Sequence, residues 1–151
     1  MKSRLLALTL TIAFAGTALA GPLKPEEQIK FRKAGYAFMA WNMGKIKGNL
    51  EGSFNKDEVA NAAAAVAATS NSGLGALFGA GTDKDVGDVK TRVKPAFFRE
   101  QDKVKELAMA FNREANALAK VSATGDAAAI KAQFGKTGEA CKSCHDKYRN
   151  D

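Results

Sequence analysis

The sequence predicts an all-α protein, an antiparallel four-helix bundle. Four stretches carry apolar residues at helical spacing, and no stretch shows strand-like alternation or an internal repeat. Three of the four advance in alternating three- and four-residue steps, the seam of helices that cross at about 20°. With 46% hydrophobic and 26% charged residues, the 151-residue chain is neither disordered, collagenous nor disulfide-dense, and its length fits one domain.

Residues 1–20 read as a secretory signal peptide. Lys2 and Arg4 precede an apolar run from Leu5 to Ala15, and Ala18-Leu19-Ala20 forms a cleavage pattern before Gly21. The run is short for a membrane-spanning helix, and no later segment is apolar enough to span, so no membrane association is expected after cleavage. Residues 21–151 would then be one domain of charge +5, the leader carrying two bases and no acid. Export from a bacterial cell places Cys141 and Cys144 in the oxidising periplasm.

The first helix starts at Pro25, followed by Glu26 and Glu27, where acids suit the helix dipole, and runs to about Gly48. Asn55 and Glu58, at capping-box spacing, open a second, Ala-rich helix that reaches Ser70. A Gly-rich segment from Gly73 to Gly81 and a polar connection from Thr82 to Lys94 follow. Pro95 precedes a third helix of about 27 residues that fades at Thr124-Gly125. Asp126 caps the fourth, which runs nearly to the chain's end.

The apolar stripes predict the core. On helix one the stripe is Ile29, Tyr36, Met39, Met43, Ile46 and Leu50, with Arg32 as its one polar place. Helix three contributes Phe97, Val104, Leu107, Phe111, Leu118 and Val121. Helix four contributes Ala127, Ile130, Phe134, Cys141, Cys144 and Tyr148, so the stripes converge on the cysteine pair. A second stripe on helix one, Phe31, Ala34, Phe38 and Trp41, lies roughly opposite the first and implies a partner surface or a contact within the chain.

Two Cys and one His cannot fill a four-ligand zinc site without carboxylates or a second chain, and a Ser-His-Asp hydrolase would have to claim that one His. All three residues instead fall in Cys141-Lys142-Ser143-Cys144-His145, a Cys-x-x-Cys-His pattern that reads as an attachment site for haem c. Residues three apart share a helix face, so both sulfurs can reach haem vinyl groups while the adjacent imidazole reaches the iron. A redox-active Cys-x-x-Cys belongs beside a strand-to-helix junction, which this chain lacks. A structural disulfide would leave the His on the inner face without a task.

Together with the Arg32–Tyr36 stretch, the Phe78-Gly79-Ala80-Gly81-Thr82 loop and Tyr148-Arg149, this motif resembles the cytochrome c′ family over essentially all of residues 21–151. Ala80 stands where that family commonly has proline. The resemblance implies one covalent haem c per chain, with thioethers at Cys141 and Cys144, His145 as the iron ligand, and Arg149 near the proximal face. It places Arg32 and Lys33 at the haem propionates, with Thr91 as a further contact, and Tyr36 over the iron's distal side. The sequence adds that a cation within an apolar stripe needs an anionic partner.

The sixth iron position separates two functions. A five-coordinate haem crowded by Tyr36 would bind nitric oxide or carbon monoxide, with or without a role in electron transfer. The alternative is a six-coordinate, low-spin electron carrier with Met39 as sixth ligand, as in a related group of class II cytochromes. Ordinary core packing accounts equally for Met39 and Tyr36 at this spacing. No distal His or Arg pair marks a peroxidase, and no enzymatic activity is expected. The resemblance also implies a homodimer through helices one and two. Net positive charge favours an acidic redox partner over nucleic acid, with Lys84, Lys90, Arg92 and Lys94 as a candidate patch.

Overall fold

The computed structural model describes residues 22–150; the expected signal peptide and its cleavage site lie outside the described residues. Four long helices make the bundle: α1 (Pro25–Glu51), α2 (Lys56–Ser70), α4 (Gln101–Ser122) and α5 (Ala127–Tyr148), with a one-turn helix α3 (Ala96–Arg99) ahead of α4. Among the described residues no strand forms, only single bridges between Val86 and Val89 and between Val93 and Arg149.

Local chemistry sets the helix starts. The Glu27 carboxylate accepts from the Lys24 amide at 2.8 Å, and Pro25 occupies the first turn, where its missing donor costs nothing. The Asn55 side chain accepts from the Glu58 amide at 3.0 Å, but the reciprocal half of the expected box is absent. Asn49 takes that place: its Oδ1 accepts from the Asn55 amide at 2.8 Å, and its Nδ2 donates to the Glu58 carboxylate at 2.9 Å. At α5, Asp126 accepts from the Ala128 and Ala129 amides, both at 3.0 Å.

The third helix differs from expectation. It breaks at Glu100 (φ −104°, ψ 48°), between α3 and α4. The Glu100 carboxylate accepts from the Tyr148 hydroxyl at 2.8 Å and pairs with Lys147 at 2.7 Å, which ties the turn to the end of α5.

α1 packs on α2, α2 on α4 and α4 on α5, whereas α1 and α5 barely meet. The fully buried cluster of Ile46, Val59, Ala62, Ala63, Leu118 and Ile130 sits where α1 passes to α2 and α4 to α5. Its alanines let helix backbones approach closely. At this end Ser122 buries a hydroxyl that has no hydrogen-bond partner among the described residues. The predicted stripes hold, with corrections: Ala127 is exposed, and Ala115 and Thr137 are buried in the gaps that the stripes left open.

The second face of α1 is open to solvent. Phe31, Phe38 and Trp41 are 55%, 48% and 59% exposed, and the Lys45 ammonium lies 4.3 Å from the Trp41 ring centre.

Candidate functional site

The loosely joined seam between α1 and α5 holds the sequence-predicted site. On α5, helical geometry places Cys141, Cys144 and His145 on one side. Both cysteines are free and half-buried. Burial pushes both thiols above their usual range, and Cys144 adds to the rise at Cys141, so both are protonated at neutral pH. Burial, followed by the positive charges of Arg149 and Arg92, holds His145 below 6.5. Its imidazole is therefore neutral near pH 7, with a lone pair available to a metal.

Tyr36 faces this group from α1. It belongs to the core stripe, yet it is 40% exposed where Ile29, Arg32, Met39 and Ile46 are buried. Phe78 covers part of its ring, and its phenol is partly buried beside both thiols. That burial, with the Cys144 thiol adding, pushes it up to about 12. The ring is thus a neutral phenol, which disfavours a phenolate–iron bond. Met39, one turn further along, is 5% exposed.

A polar clamp closes the seam's rim. Arg32 is 3% exposed and donates to the Thr82 carbonyl at 2.8 Å, the Thr91 hydroxyl at 2.6 Å and the Leu77 carbonyl at 3.3 Å. Its guanidinium also lies 4.6 Å from the centre of the Phe78 ring. The anionic partner expected from sequence is thus replaced by three oxygens and an aromatic face; no described carboxylate pairs with it. The Thr91 amide donates to Asp85 at 2.8 Å, and the exposed Lys33 reaches the Lys90 carbonyl at 3.2 Å. Asp85 also pairs with Lys90 at 3.1 Å, which removes Lys90 from the free basic patch predicted on this connection.

Phe78, Phe97 and Tyr148 were not singled out as site residues, and they line the interior. Phe78 and Phe97 stack at 4.4 Å, Tyr36 meets Phe78 edge-on at 6.5 Å, and Tyr148 meets Phe97 edge-on at 5.9 Å. Phe97 and Tyr148 already belonged to the apolar stripes, whereas Phe78 comes from the loop that follows α2.

The donor set fits haem c. Two free thiols three residues apart suit two vinyl groups, a neutral imidazole suits iron, aromatic walls suit a flat apolar ring, and a cation without a carboxylate suits a propionate. Arg149 caps α5, its amide donating to the His145 carbonyl at 2.9 Å. The structure therefore brings Cys141, Cys144, His145 and Arg149 to one side of the seam, and Arg32, Lys33 and Thr91 to its rim, with Tyr36 between them.

A family model described as Cytochrome C′ matches residues 27–149. The cytochrome c′ of Allochromatium vinosum is 58% identical over 140 residues, spanning 93% of this chain and 91% of that protein. A solved cytochrome c′ with an unusual ligand-controlled dimer dissociation superposes with a TM-score of 0.85 at 60% identity, over 85% of this chain and 98% of that one. The nitric oxide complex of a variant cytochrome c prime from Alcaligenes xylosoxidans superposes with a TM-score of 0.73 at 26% identity, over 85% and 98%. A carbon-monoxide-bound variant from that source gives the same values.

Proposed function

This chain belongs to the cytochrome c′ family, and from that premise we propose that it is a periplasmic haem c protein with five-coordinate iron that binds nitric oxide and carbon monoxide and can also carry electrons. In this reading the signal peptide 1–20 is removed, and residues 21–151 form the haem domain. Cys141 and Cys144 hold the haem by thioethers and His145 ligates its iron. Arg32 and Thr91 receive a propionate, with Lys33 nearby, and Arg149 lies against the proximal face.

The bound haem would supply an iron that cycles between ferric and ferrous and takes a diatomic gas on its free side. The protein's own groups do the rest. The lowered His145 keeps its lone pair for the iron. The stacked rings of Phe78 and Phe97 offer an apolar wall to the haem, and Arg32 would offset propionate charge at the rim. The observation that carries the reading is Tyr36, a bulky, neutral phenol in the field of both thiols. With haem held by Cys141, Cys144 and His145, the phenol's bulk would crowd the opposite side of the ring, its apolar face would offer few hydrogen bonds, and a ligand would have to displace it to enter. Neutral diatomics tolerate such a pocket, whereas hydrated anions do not. The gas complexes of the Alcaligenes variants support this ligand class.

The optical spectrum of the holoprotein, ferric and dithionite-reduced, before and after CO, tests the proposal. A broad high-spin ferrous spectrum that shifts with CO is expected. A sharp low-spin band that CO leaves unchanged overturns it in favour of Met39 as sixth ligand. The exposed Phe31, Phe38 and Trp41 face supports a homodimer through α1 and α2, since apolar patches of this kind mark contact surfaces. Sedimentation of the holoprotein should give a dimer, and a monomer at all concentrations would overturn this assignment.

A further inference from the structure

An open cleft beside His145 is lined by Lys94, His145, Asp146, Arg149 and Asn150. Two segments far apart in sequence build it. The Lys94 amide donates to the Tyr148 carbonyl at 2.8 Å, the Asn150 amide donates to the Arg92 carbonyl at 2.7 Å, and Val93 bridges Arg149. This short antiparallel pairing ties the connection before α3 to the end of α5 and gathers Arg92, Lys94 and Arg149 around one imidazole. The Lys94 ammonium donates to the Asp146 carbonyl at 3.2 Å, which holds it over the cleft.

Neighbouring acids are already engaged. Asp146 pairs with Lys142, and Glu100 pairs with Lys147. Arg92 and Arg149 are exposed and have no ion pair among the described residues. Among the described residues, Arg92, Lys94 and Arg149 therefore have no carboxylate partner beside a half-buried ring edge. Their ends lie at the surface and do not converge on a closed pocket, so they suit a second surface better than a small ion. Arginine is also the cation that interfaces favour, because its planar fork meets carboxylates in pairs.

We propose that this cleft is the docking surface for an electron-transfer protein that presents carboxylates, with Arg92, Lys94 and Arg149 as its contacts and the His145 edge as the point of closest approach to the iron. The proposal rests on the assignment of His145 as the iron ligand. It moves the basic docking patch away from Lys84 and Lys90 and onto the face where a partner meets the metal's own ligand. Transient redox contacts are small and gain their rate from charge steering, which a cluster of three cations supplies.

An acidic plant-type ferredoxin serves as the probe protein. Oxidised ferredoxin is titrated into ¹⁵N-labelled ferric holoprotein, and reduced ferredoxin is mixed with it in stopped flow at several ionic strengths. Amide shifts should fall on residues 92–94 and 145–150, and the association rate should drop steeply with salt. Arg92→Gln with Lys94→Gln should slow association by about tenfold, whereas Lys120→Gln with Lys131→Gln, on exposed positions at the other end of the bundle, should change it less than about twofold. Shifts elsewhere, or equal effects from both pairs, overturn the proposal. So does tight binding of the redox-inert hexacyanocobaltate(III) trianion at the cleft with no ferredoxin footprint, which would mark a small-anion site. The haem spectrum of His145→Ala judges the ligand assignment separately: an unchanged spectrum would sink that reading without any reference to docking.

Discussion

Replacing Arg32 with methionine tests the clamp that joins α1 to the loops over the seam. Methionine keeps most of the stem's volume and removes the charge and its donors. The two short hydrogen bonds, to the Thr82 carbonyl and the Thr91 hydroxyl, come from a charged donor, a type worth about 1.5–3 kcal/mol each. The Phe78 contact adds about 1 kcal/mol. Burial of the guanidinium opposes these gains, and removing the charge recovers that cost, so the net loss should be about 2–4 kcal/mol. For a domain of this size that corresponds to a melting temperature about 10 °C lower. The assay is urea unfolding of the holoprotein, followed by far-UV circular dichroism and by haem absorbance, with coincident curves as the check on two-state behaviour. Arg32→Lys should recover less than half the loss, because a point charge cannot reach three oxygens at once. A double-mutant cycle with Thr91→Val should show coupling of about 1 kcal/mol. Arg32→Met within about 0.5 kcal/mol of the parent would refute the clamp as a source of stability.

Four further outcomes follow from the geometry. Ser122→Ala removes a buried hydroxyl that has no partner among the described residues and should stabilise the protein by about 1 kcal/mol in the same urea assay. Leu118→Ala, in the fully buried cluster, should destabilise by about 2–5 kcal/mol, and a smaller loss would show that the close-packed alanines can collapse into the gap. A ferrous Tyr36→Ala holoprotein should bind CO at least tenfold faster by flash photolysis, since about 1.4 kcal/mol of barrier is a factor of ten; no acceleration would mean the phenol does not obstruct entry. The Glu100 carboxyl is lowered by its bonds from Lys147 and then Tyr148, so its contribution is present above the ordinary value of 4.5 and is lost as pH falls through the folded value. Glu100→Gln should flatten the acid limb of stability below pH 4.5, and an unchanged limb would assign that limb to other carboxylates.

The helices were legible because their signals are local: Pro25 and Asn55 at the starts, Asp126 as a cap, and periodic stripes between them. The Cys-x-x-Cys-His motif was equally local, five consecutive residues on one helix. Long-range contacts were not legible. Glu100 reads as an ordinary helical residue, and only Tyr148 and Lys147, nearly fifty positions on, make it a break. Asn49 gave no sign that it would complete the cap of the next helix. Arg32 was correctly placed in the stripe, but its partners are two backbone carbonyls and a hydroxyl, which carry no charge signal. Thr137 was missed because it is polar, although its hydroxyl is satisfied at 2.9 Å by the Gln133 carbonyl one turn earlier. Ala115, the small residue midway between Phe111 and Leu118, was the available clue to the seam's continuity.

The fully buried apolar cluster is confined to the end of the bundle opposite the thiols, and the two ends therefore open at different free-energy cost. Backbone amides within 59–67 and 115–122 should exchange hydrogen with solvent only when the whole chain unfolds. Residues 73–94, held by turns, one buried arginine and a few side-chain bonds, can open while those helices stay folded. If a small molecule enters through the seam as proposed, its passage would draw on a cheap local excursion of the microsecond-to-millisecond kind and leave the four-helix framework intact.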